Sequence, residues 1–480
     1  MKKTTLISAV LILILSLLLS ACQPKDIESQ QSTSTPTLQK TATRTFTPVP
    51  TQTSSPTPTP EWLLPLEDLA EIELSFSHPW TGELAKTIDE LVDTFNQTNE
   101  YSIFVEVSAP GSSQQLFQNS EAALRNDQGP NVVVAPIEEL AYWYQFGYLL
   151  ALDQYINDSI YGFSPELIQD FHPVFWEQDV IDNTRLGIPI SRNANFLVMN
   201  TSWAKELDIN VAAMTPQMFQ NHVCAAKDDL LYDDDWRNNG MGGWIVRHND
   251  YTILNWLNAF NLTEFPESDT PYNFDQDATL DAFTYLREMF DDDCAWNARN
   301  PTHYEYMANR EALYISADVY DLEFLQKTFD LAENEDQWQV IPYPDLDGEP
   351  VLLVHGDSLG ILKSSPAQEL ASWLFIRWLS LPDQQIQIAQ TNPALPVSQS
   401  LQQQISKDRS PQWNQLMAAI ENAIPAPRTA EWRVARFILQ DAAYQIFLAN
   451  ITTEQYPQII SLLDEIISDL SQQPASLAWE

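Results

Sequence analysis

The chain contains few of the residues on which common catalytic and cofactor sites depend. Its 480 residues include three cysteines, six histidines and 24 lysines and arginines, against 66 acidic residues, which gives a net charge of −42. No His-Glu-x-x-His motif, Walker loop or dinucleotide fingerprint occurs. Such an acidic chain repels nucleic acid and anionic lipid headgroups. We therefore expect no nucleic-acid partner, no metal site and no cofactor.

The scarcity of histidine also argues against a hydrolase. The run Gly356–Gly360 matches the nucleophile-elbow pattern around Ser358, but that fold needs a later histidine, and the last one is His355. The residues after the run continue extended, where an elbow requires a helix. Ser202 and Lys205 fit a Ser-x-x-Lys pattern without the Lys-Thr-Gly motif that should follow. The sequence therefore predicts a protein that is not an enzyme.

Two runs of three aspartates invite a calcium interpretation. They are Asp233–Asp235 and Asp291–Asp293. The fifth position of an EF-hand loop is occupied by Arg237 in one and Ala295 in the other, and neither can supply the required oxygen. Solvated acidic loops are the better interpretation of both runs.

Only one long apolar run is present, and it lies at the N-terminus. Lys2 and Lys3 precede an apolar stretch from Leu6 to Leu19, and Ser20-Ala21-Cys22 follows. The order is typical of a secretory signal, and it resembles the lipobox of bacterial lipoproteins. That resemblance implies a signal peptide over residues 1–21 and a lipid on Cys22, which anchors the protein outside the cell membrane. A retained transmembrane helix is the alternative.

The segment after the signal has the composition of a linker. Ser, Thr and Pro make up most of the stretch from Gln31 to Pro60. Such a segment buries too little apolar area to offset its ordering entropy, and its prolines keep it extended. We assign residues 22–60 to a stalk. The remaining chain is long enough for two or three domains.

The other two cysteines, Cys224 and Cys294, form an even pair in an oxidising compartment. Neither has a second cysteine or a histidine at zinc-ligand spacing. We expect one disulfide between them, with two buried free thiols as the alternative.

Strand and helix signals alternate from residue 71 onward. Glu71–Phe76 alternates as a strand, and helical spacing of apolar residues follows a cap at Thr81. Further strands are predicted at 103–107 and 131–135, with helices between and after them. This order predicts a doubly wound α/β sheet, with ligands beyond the carboxyl ends of its strands.

Several passages then resemble extracellular solute-binding proteins of ABC importers, in the group that includes maltose- and glycerol-phosphate-type binders. The likeness covers most of residues 71–470, although Arg310-Glu311 departs from the family pattern. The passages are His78–Gly82, Asn131–Ala135, Gly187–Asn195, Val198–Asn200, Trp203–Leu207, Asn309–Tyr314, Gly356–Ile361 and Asn392–Val397.

The resemblance implies a two-lobed periplasmic-binding-protein fold of the maltose-binding type, with a cleft between the lobes. The chain should cross near Arg192–Asn195, near Ser316 and near Ile361. Lobe one would comprise 71–192 and 316–361, and lobe two 193–315 and 362–480. The implied function is capture of a sugar or oligosaccharide by a monomer that delivers it to the membrane subunits of an importer. A glycerol-phosphate or other polar solute is one alternative, and a glycoside-processing or adhesive surface lipoprotein is another.

A sugar cleft needs flat aromatic faces and a rim of polar groups. We predict Trp80, Trp244 and Trp432 as stacking platforms, with core packing as the alternative for each. The predicted polar contacts are Ser113, Asn193 and Asp357. Arg192 and Arg247 are candidates for an anionic ligand group, or else partners of nearby carboxylates.

Overall fold

Two main β-sheets organise the chain, which the computed structural model describes at residues 69–210, 214–262, 272–299 and 303–471. The strands are β1 (Glu73–Ser77), β2 (Phe104–Ser108), β3 (Val132–Pro136), β4 (Val180–Ile181), β5 (Thr184–Arg185), β6 (Ile188–Pro189), β7 (Asn193–Asn200), β8 (Gly242–Ile245), β9 (Ala295–Trp296), β10 (Ala312–Asp318), β11 (Trp338–Ile341), β12 (Leu353–His355), β13 (Asp357–Ile361) and β14 (Ile424–Pro425).

The α-helices surround these sheets, and short 3₁₀ helices lie among them. The α-helices are α1 (Gly82–Thr98), α2 (Ser113–Leu124), α3 (Ile137–Gln145), α4 (Asp153–Ile156), α5 (Pro165–Asp170), α6 (Pro173–Glu177), α7 (Thr201–Glu206), α8 (Pro216–Leu231), α9 (Asp250–Ala259), α10 (Asp277–Asp291), α11 (Tyr304–Ala308), α12 (Asp321–Leu331), α13 (Pro366–Leu379), α14 (Pro382–Thr391), α15 (Gln399–Ile405), α16 (Pro411–Ala419), α17 (Trp432–Ile446) and α18 (Tyr456–Ser471). The 3₁₀ helices span Ser406–Asp408, Ile420–Asn422 and Thr453–Gln455.

The first sheet has the strand order β2-β1-β3-β13-β6. Strands β1, β2 and β3 are parallel to one another, whereas β13 runs antiparallel to both of its neighbours. Between β1 and β2, helix α1 begins after Thr81 and buries the predicted apolar face of Leu84, Ile88, Leu91, Val92 and Phe95. The local signals therefore produce the predicted β-α-β unit. We call this sheet and the helices packed on it the first lobe.

The second sheet is built around β7, whose eight residues are all buried. Its order is β14-β12-β7-β10-β8-β9, and β11 also pairs with β7. Because β7 is covered on both faces, its sequence Asn193–Asn200 shows no alternation of polar and apolar residues in burial. We call this sheet and its helices the second lobe.

The chain passes from one sheet to the other at two places between neighbouring strands. It leaves the first sheet after Pro189 and enters the second at Asn193. It returns at Gly356, which separates β12 in the second sheet from β13 in the first. Gly356 has φ of +147° and lies against the Ser191 backbone, a close approach that a side chain would block.

Two of the predicted boundaries differ from these sheets. Strand β10, which contains Ser316, pairs with β7 along most of its length, so the chain does not return to the first lobe there. Residues 316–355 accordingly lie in the second lobe. Ile361 ends β13 inside the first sheet, and α13 packs its apolar face into the first-lobe core. Helices α13 and α14 therefore belong with the first lobe, because Leu370, Leu379 and Ile388 are buried in its core. Leu395 is buried with residues of the second sheet.

A disulfide joins Cys224 on α8 to Cys294 after α10, with the two Cα atoms 4.6 Å apart. This agrees with the predicted pair, and both residues lie in the second lobe. Across the described ranges, no helix combines the length and the apolar character that a membrane span requires. The lipid-anchor prediction at Cys22 concerns a residue outside the described ranges.

Candidate functional site

A cavity of about 460 Å³ lies between the lobes, with walls from both. The first lobe contributes the start of α2 and one residue of α3, and the second lobe contributes one face of α17. The lining residues are Ser113, Gln114, Phe117, Gln118, Glu139, Arg433, Arg436, Phe437, Gln440 and Asp441. A solute held here would contact both lobes at once.

Local sequence signals explain how these side chains reach the cavity. Helix α2 begins after Ser112, whose hydroxyl accepts a hydrogen bond from the Gln115 backbone N–H at 3.1 Å. The lining residues of α17 recur at positions i, i+3, i+4, i+7 and i+8 from Arg433, which places them on one helix face. The Ser112 cap therefore positions one wall of the cavity, and the helical spacing of α17 positions the other.

Helix α3 begins directly after β3 and carries Glu138 and Glu139 in its first turn. A helix N-terminus favours negative charge there. Burial, followed by the neighbouring Glu138 charge, nevertheless raises the pKa of Glu139 to about 8. Burial also raises the pKa of Glu138. Burial therefore favours the neutral, protonated form of both carboxyl groups on this wall of the first lobe.

Charges from the second lobe face these carboxyl groups. Arg436 Nη1 lies 3.6 Å from Glu138 Oε1 and 3.7 Å from Asp250 Oδ2. The Arg433 guanidinium lies 4.8 Å from the ring centre of Phe117 and 4.6 Å from that of Tyr142. Both arginines thus contact the first lobe, although they belong to a second-lobe helix.

A second cavity of about 270 Å³ lies in the second lobe and shares Gln440 with the first. Its other lining residues are Val246, Arg247, His248, Asn249, His303, Tyr304, Ser316 and Asp321. Arg247 is paired with Asp321 at 3.2 Å inside it.

Of the predicted site residues, Ser113 lines the interlobe cavity, and Trp80 and Asp357 lie together at the carboxyl edge of the first sheet. Trp80 is half-buried, stacks on His78 with ring centres 5.2 Å apart and hydrogen-bonds the Asp357 carboxyl group. Burial raises the pKa of Asp357, and the Trp80 bond opposes that shift. These three residues remain candidates for ligand contact.

Asn193 has a different role from the predicted one. It is buried, and its side-chain oxygen accepts from the backbone N–H groups of Ala194 and Val319 at 2.8 and 3.1 Å. Its side chain also hydrogen-bonds Asp318. The amide is thus occupied in joining β7 to the turn after β10.

Trp244 and Trp432 were predicted as platforms, and that prediction is wrong in this structure. Both have 0% exposure and lie in the second-lobe core. Trp244 packs against Phe219 and Trp256, and Trp432 packs against Tyr251 and Tyr272. A stacking platform needs a free face, so these two rings serve the core instead.

The arginines considered for anion binding are both paired with carboxylates. Arg192 Nη2 contacts Asp179 Oδ2 at 2.8 Å with neither side chain exposed, and Arg247 pairs with Asp321. Ser358 is fully buried within β13 and donates to Asp179 at 2.7 Å. The elbow-like run is therefore part of strand β13. This strand begins directly after Gly356, where the chain crosses between the sheets, and we call this crossing, together with the one at 189–193, the hinge.

Sequence reasoning missed Glu139, Arg433, Arg436 and Gln440. Their signals were present: the carboxylates directly follow β3 at the ligand edge, and the other three share one stripe of α17. The histidine, cysteine and acidic residues in the described ranges do not group in threes as a metal site would require.

The comparisons with known proteins agree with this geometry. A profile of the bacterial extracellular solute-binding proteins matches residues 90–420. The chain belongs to this family. A search of curated protein sequences finds no match.

Solved structures show the same two-lobed fold. The sugar-binding protein MalE from Xanthomonas citri matches with a TM-score of 0.68 at 18% identity, over 84% of this chain and 100% of its own. The cyclic alpha-maltosyl-1,6-maltose binding protein from Arthrobacter globiformis gives 0.66 at 15%, over 83% and 99%. An ABC substrate-binding protein from Listeria monocytogenes, in complex with cycloalternan, gives 0.65 at 15%, over 84% and 100%.

Proposed function

We propose that this protein is the substrate-binding component of an ABC importer and that it captures a sugar or oligosaccharide between its lobes. The observation that carries the proposal is the interlobe cavity, whose polar and aromatic lining comes from both lobes. The structural neighbours support the sugar class, since they include binding proteins solved in complex with maltotriose, maltotetraose and cycloalternan.

The lining suits the two surfaces of a sugar. The partly exposed Phe437 ring offers a face for apolar C–H groups. Gln114, Gln118 and Gln440 offer amides that both donate and accept, as hydroxyl groups require. The interlobe cavity has a volume of about 460 Å³, which lies within the range of small-molecule sites, about 300–1,000 Å³.

Capture would proceed by closure of the lobes around the solute. Binding stabilises the closed form only through contacts that are absent when the lobes are apart. Ser113 and Glu139 from one lobe and Arg433 and Gln440 from the other are the residues that supply such contacts. The solute is then handed to the importer's membrane subunits.

An acidic sugar or phosphorylated solute is the second candidate, and Arg433 favours it. This side chain is 7% exposed, lines the cavity and makes no salt bridge with any residue of the described ranges. Arg192 and Arg247 do not support this alternative, because each already has a carboxylate partner.

We further propose binding without turnover. A glycoside-processing protein needs two carboxyl groups that flank the scissile bond. Glu138 and Asp250 instead both face Arg436, and Ser358 is buried in a strand. Release of reducing sugar from any glycoside that binds would overturn this part of the proposal.

Heat-shift screening tests the binding function. The panel should contain maltotriose, maltotetraose, cycloalternan, uronic-acid oligosaccharides and glycerol phosphate. A solute at 100 times its Kd should stabilise the protein by about 2.7 kcal/mol. Gln440→Ala should weaken the shift, whereas Gln326→Ala, an exposed glutamine on α12 of the same lobe, should not. No shift with any solute would contradict the proposal.

The lipid anchor on Cys22 is proposed from sequence alone. Cells that express Cys22→Ala should release the protein from the membrane fraction, and the wild type should retain it. Mass spectrometry of the N-terminal peptide would show a diacylglyceryl addition on Cys22 of the wild type. Retention of the variant would favour an uncleaved transmembrane helix instead.

A further inference from the structure

The second-lobe helix α17 carries two arginines that contact the first lobe. Arg436 on α17 lies between Glu138 on α3 and Asp250 on α9. Glu138 belongs to the first lobe, whereas Asp250 belongs to the same lobe as Arg436. Of these two ion pairs, only the one with Glu138 spans the cleft.

Arg433 makes the second contact across the cleft. One turn before Arg436, it places its guanidinium over Phe117 on α2 and Tyr142 on α3, and both rings lie in the first-lobe core. A guanidinium over an aromatic face is attracted most strongly when water is excluded. Arg433 is nearly buried at this position. The contact therefore depends on the lobes staying together.

The charged groups at this face are removed from water without complete hydrogen bonding. Glu138 Oε1, Glu139 Oε2 and the Nε atoms of both arginines are buried and have no hydrogen-bond partner among the described residues. A buried charge that loses its partner is strongly disfavoured. If Arg436 is removed, Glu138, whose side chain is 2% exposed, is left buried without its ion pair, and separation of the lobes would return it to water.

We propose that Arg436, together with Arg433, is an electrostatic latch that holds the two lobes together before any solute arrives. The inference rests on the proposed function, because it assigns a regulation to the same cleft. It goes further in stating that contacts between residues of the chain itself already stabilise the closed arrangement before a solute binds. A latch of this kind lowers the free energy that solute binding must supply to close the lobes.

Small-angle X-ray scattering of the solute-free mature chain tests the latch. The wild type should fit the compact arrangement of the structure. Arg436→Met should increase the radius of gyration, because Glu138 would otherwise remain buried opposite an uncharged side chain. Arg237→Met is the matched control: it removes an arginine whose exposed ion pair is with Asp235 in the same lobe. This control should scatter as the wild type does.

Glu138→Gln provides a second variant should Arg436→Met fail to fold, which circular dichroism would show. It cuts the same link from the other side and should also increase the radius. Scattering from Arg436→Met and Glu138→Gln that superimposes on the wild type would overturn the latch, as would a wild type that is already open without solute.

These outcomes are independent of the proposed function. Scattering is measured without solute, so it reports the latch whether or not any sugar binds. The heat-shift screen reports binding whether or not the lobes rest together. A protein with a latch and no sugar response would refute only the function, and a sugar response without a latch would refute only this inference.

Discussion

Two arginine–carboxylate groups lie at the junction of the lobes, and they differ in burial and in geometry. At the hinge, Arg192 and Asp179 are in direct contact at 2.8 Å, and the arginine also donates to three backbone carbonyls and to Ser358. At the cleft, Arg436 lies 3.6 Å from Glu138, beyond direct hydrogen-bond distance. An ion pair with a short contact and several hydrogen bonds fixes the backbone around it. A longer ion pair with incomplete hydrogen bonding can be broken and formed again when the lobes move.

The locations of the hinge group and the cleft group lead to the same distinction. Arg192 donates to the carbonyl of Asp357, the first residue of β13, and thereby fixes the chain where it passes from β12 in the second sheet to β13 in the first. Arg436 instead joins two bodies that the proposed function requires to separate. We therefore expect substitutions at the hinge to change folding stability and substitutions at the cleft to change the open–closed equilibrium.

The largest expected effect is at the hinge. Arg192→Met should lower the free energy of unfolding by about 3–5 kcal/mol, because it leaves the buried Asp179 carboxylate without its ion pair. Lys86→Met, which removes an exposed i,i+4 pair with Glu90, should change it by less than about 0.5 kcal/mol. Urea denaturation of both variants measures the difference. Equal urea midpoints for the two variants would mean that the Arg192–Asp179 pair does not fix the fold, and the distinction between the hinge group and the cleft group would be lost.

The next effect is the pH dependence of closure. Glu139 has its pKa raised to about 8 in the closed arrangement and should return toward its usual 4.5 when the lobes separate. The closed form then binds the proton more tightly, so its advantage is complete below pH 4.5 and is lost as the pH rises to about 8. The expected loss is at most about 1.4 kcal/mol per pH unit.

The charged groups that face Glu139 are Glu138 on the same helix, Arg433 and Arg436 on α17 and Asp357 on β13. Scattering of the solute-free protein should show a larger radius of gyration at pH 8 than at pH 5. Glu139→Gln should remove most of the pH dependence, because glutamine does not titrate. A profile that is unchanged in this variant would assign the effect to another group.

Trp80 lies beside the hinge group, since it hydrogen-bonds the Asp357 carboxyl group while Arg192 donates to the Asp357 backbone carbonyl. If the ring contacts the solute, Trp80→Ala should lower the affinity about tenfold, the equivalent of one aromatic contact. Calorimetric titration with the solute found by screening measures this change. Unchanged affinity together with a melting temperature several degrees lower would make Trp80 a core residue.

The smallest effect should come from Asp250→Asn. This change removes the partner of Arg436 that lies in the same lobe and leaves the link to Glu138 across the cleft. The radius of gyration should stay at the wild-type value, in contrast to Glu138→Gln. An opening as large as that of Glu138→Gln would mean that total charge, and not the interlobe pair, controls closure.

Local signals were sufficient for much of the first lobe. The apolar spacing of α1, the cap at Thr81 and the continuous apolar run of β3 are each determined within a few residues. The return point of the chain was missed for a different reason. The sequence of β10 is compatible with either sheet, and only its pairing with the distant β7 decides the matter.

The candidate site was harder to predict than the fold. Trp80, Trp244 and Trp432 all follow turn signals, and nothing local distinguishes a ring at a cleft from a ring in a core. The distinction arises from what packs above each ring. Similarly, the stripe of Arg433 and Arg436 on α17 indicates a shared face, but its partners lie about 300 residues earlier in the chain.

The most direct test of the central claim is a crystal structure of the mature protein with the oligosaccharide that gives the largest heat shift. We predict density for the sugar in the cavity between α2 and α17, with contacts from Ser113 or Glu139 on one side and from Arg433 or Gln440 on the other. A sugar bound on one lobe alone, or outside this cavity, would contradict the account.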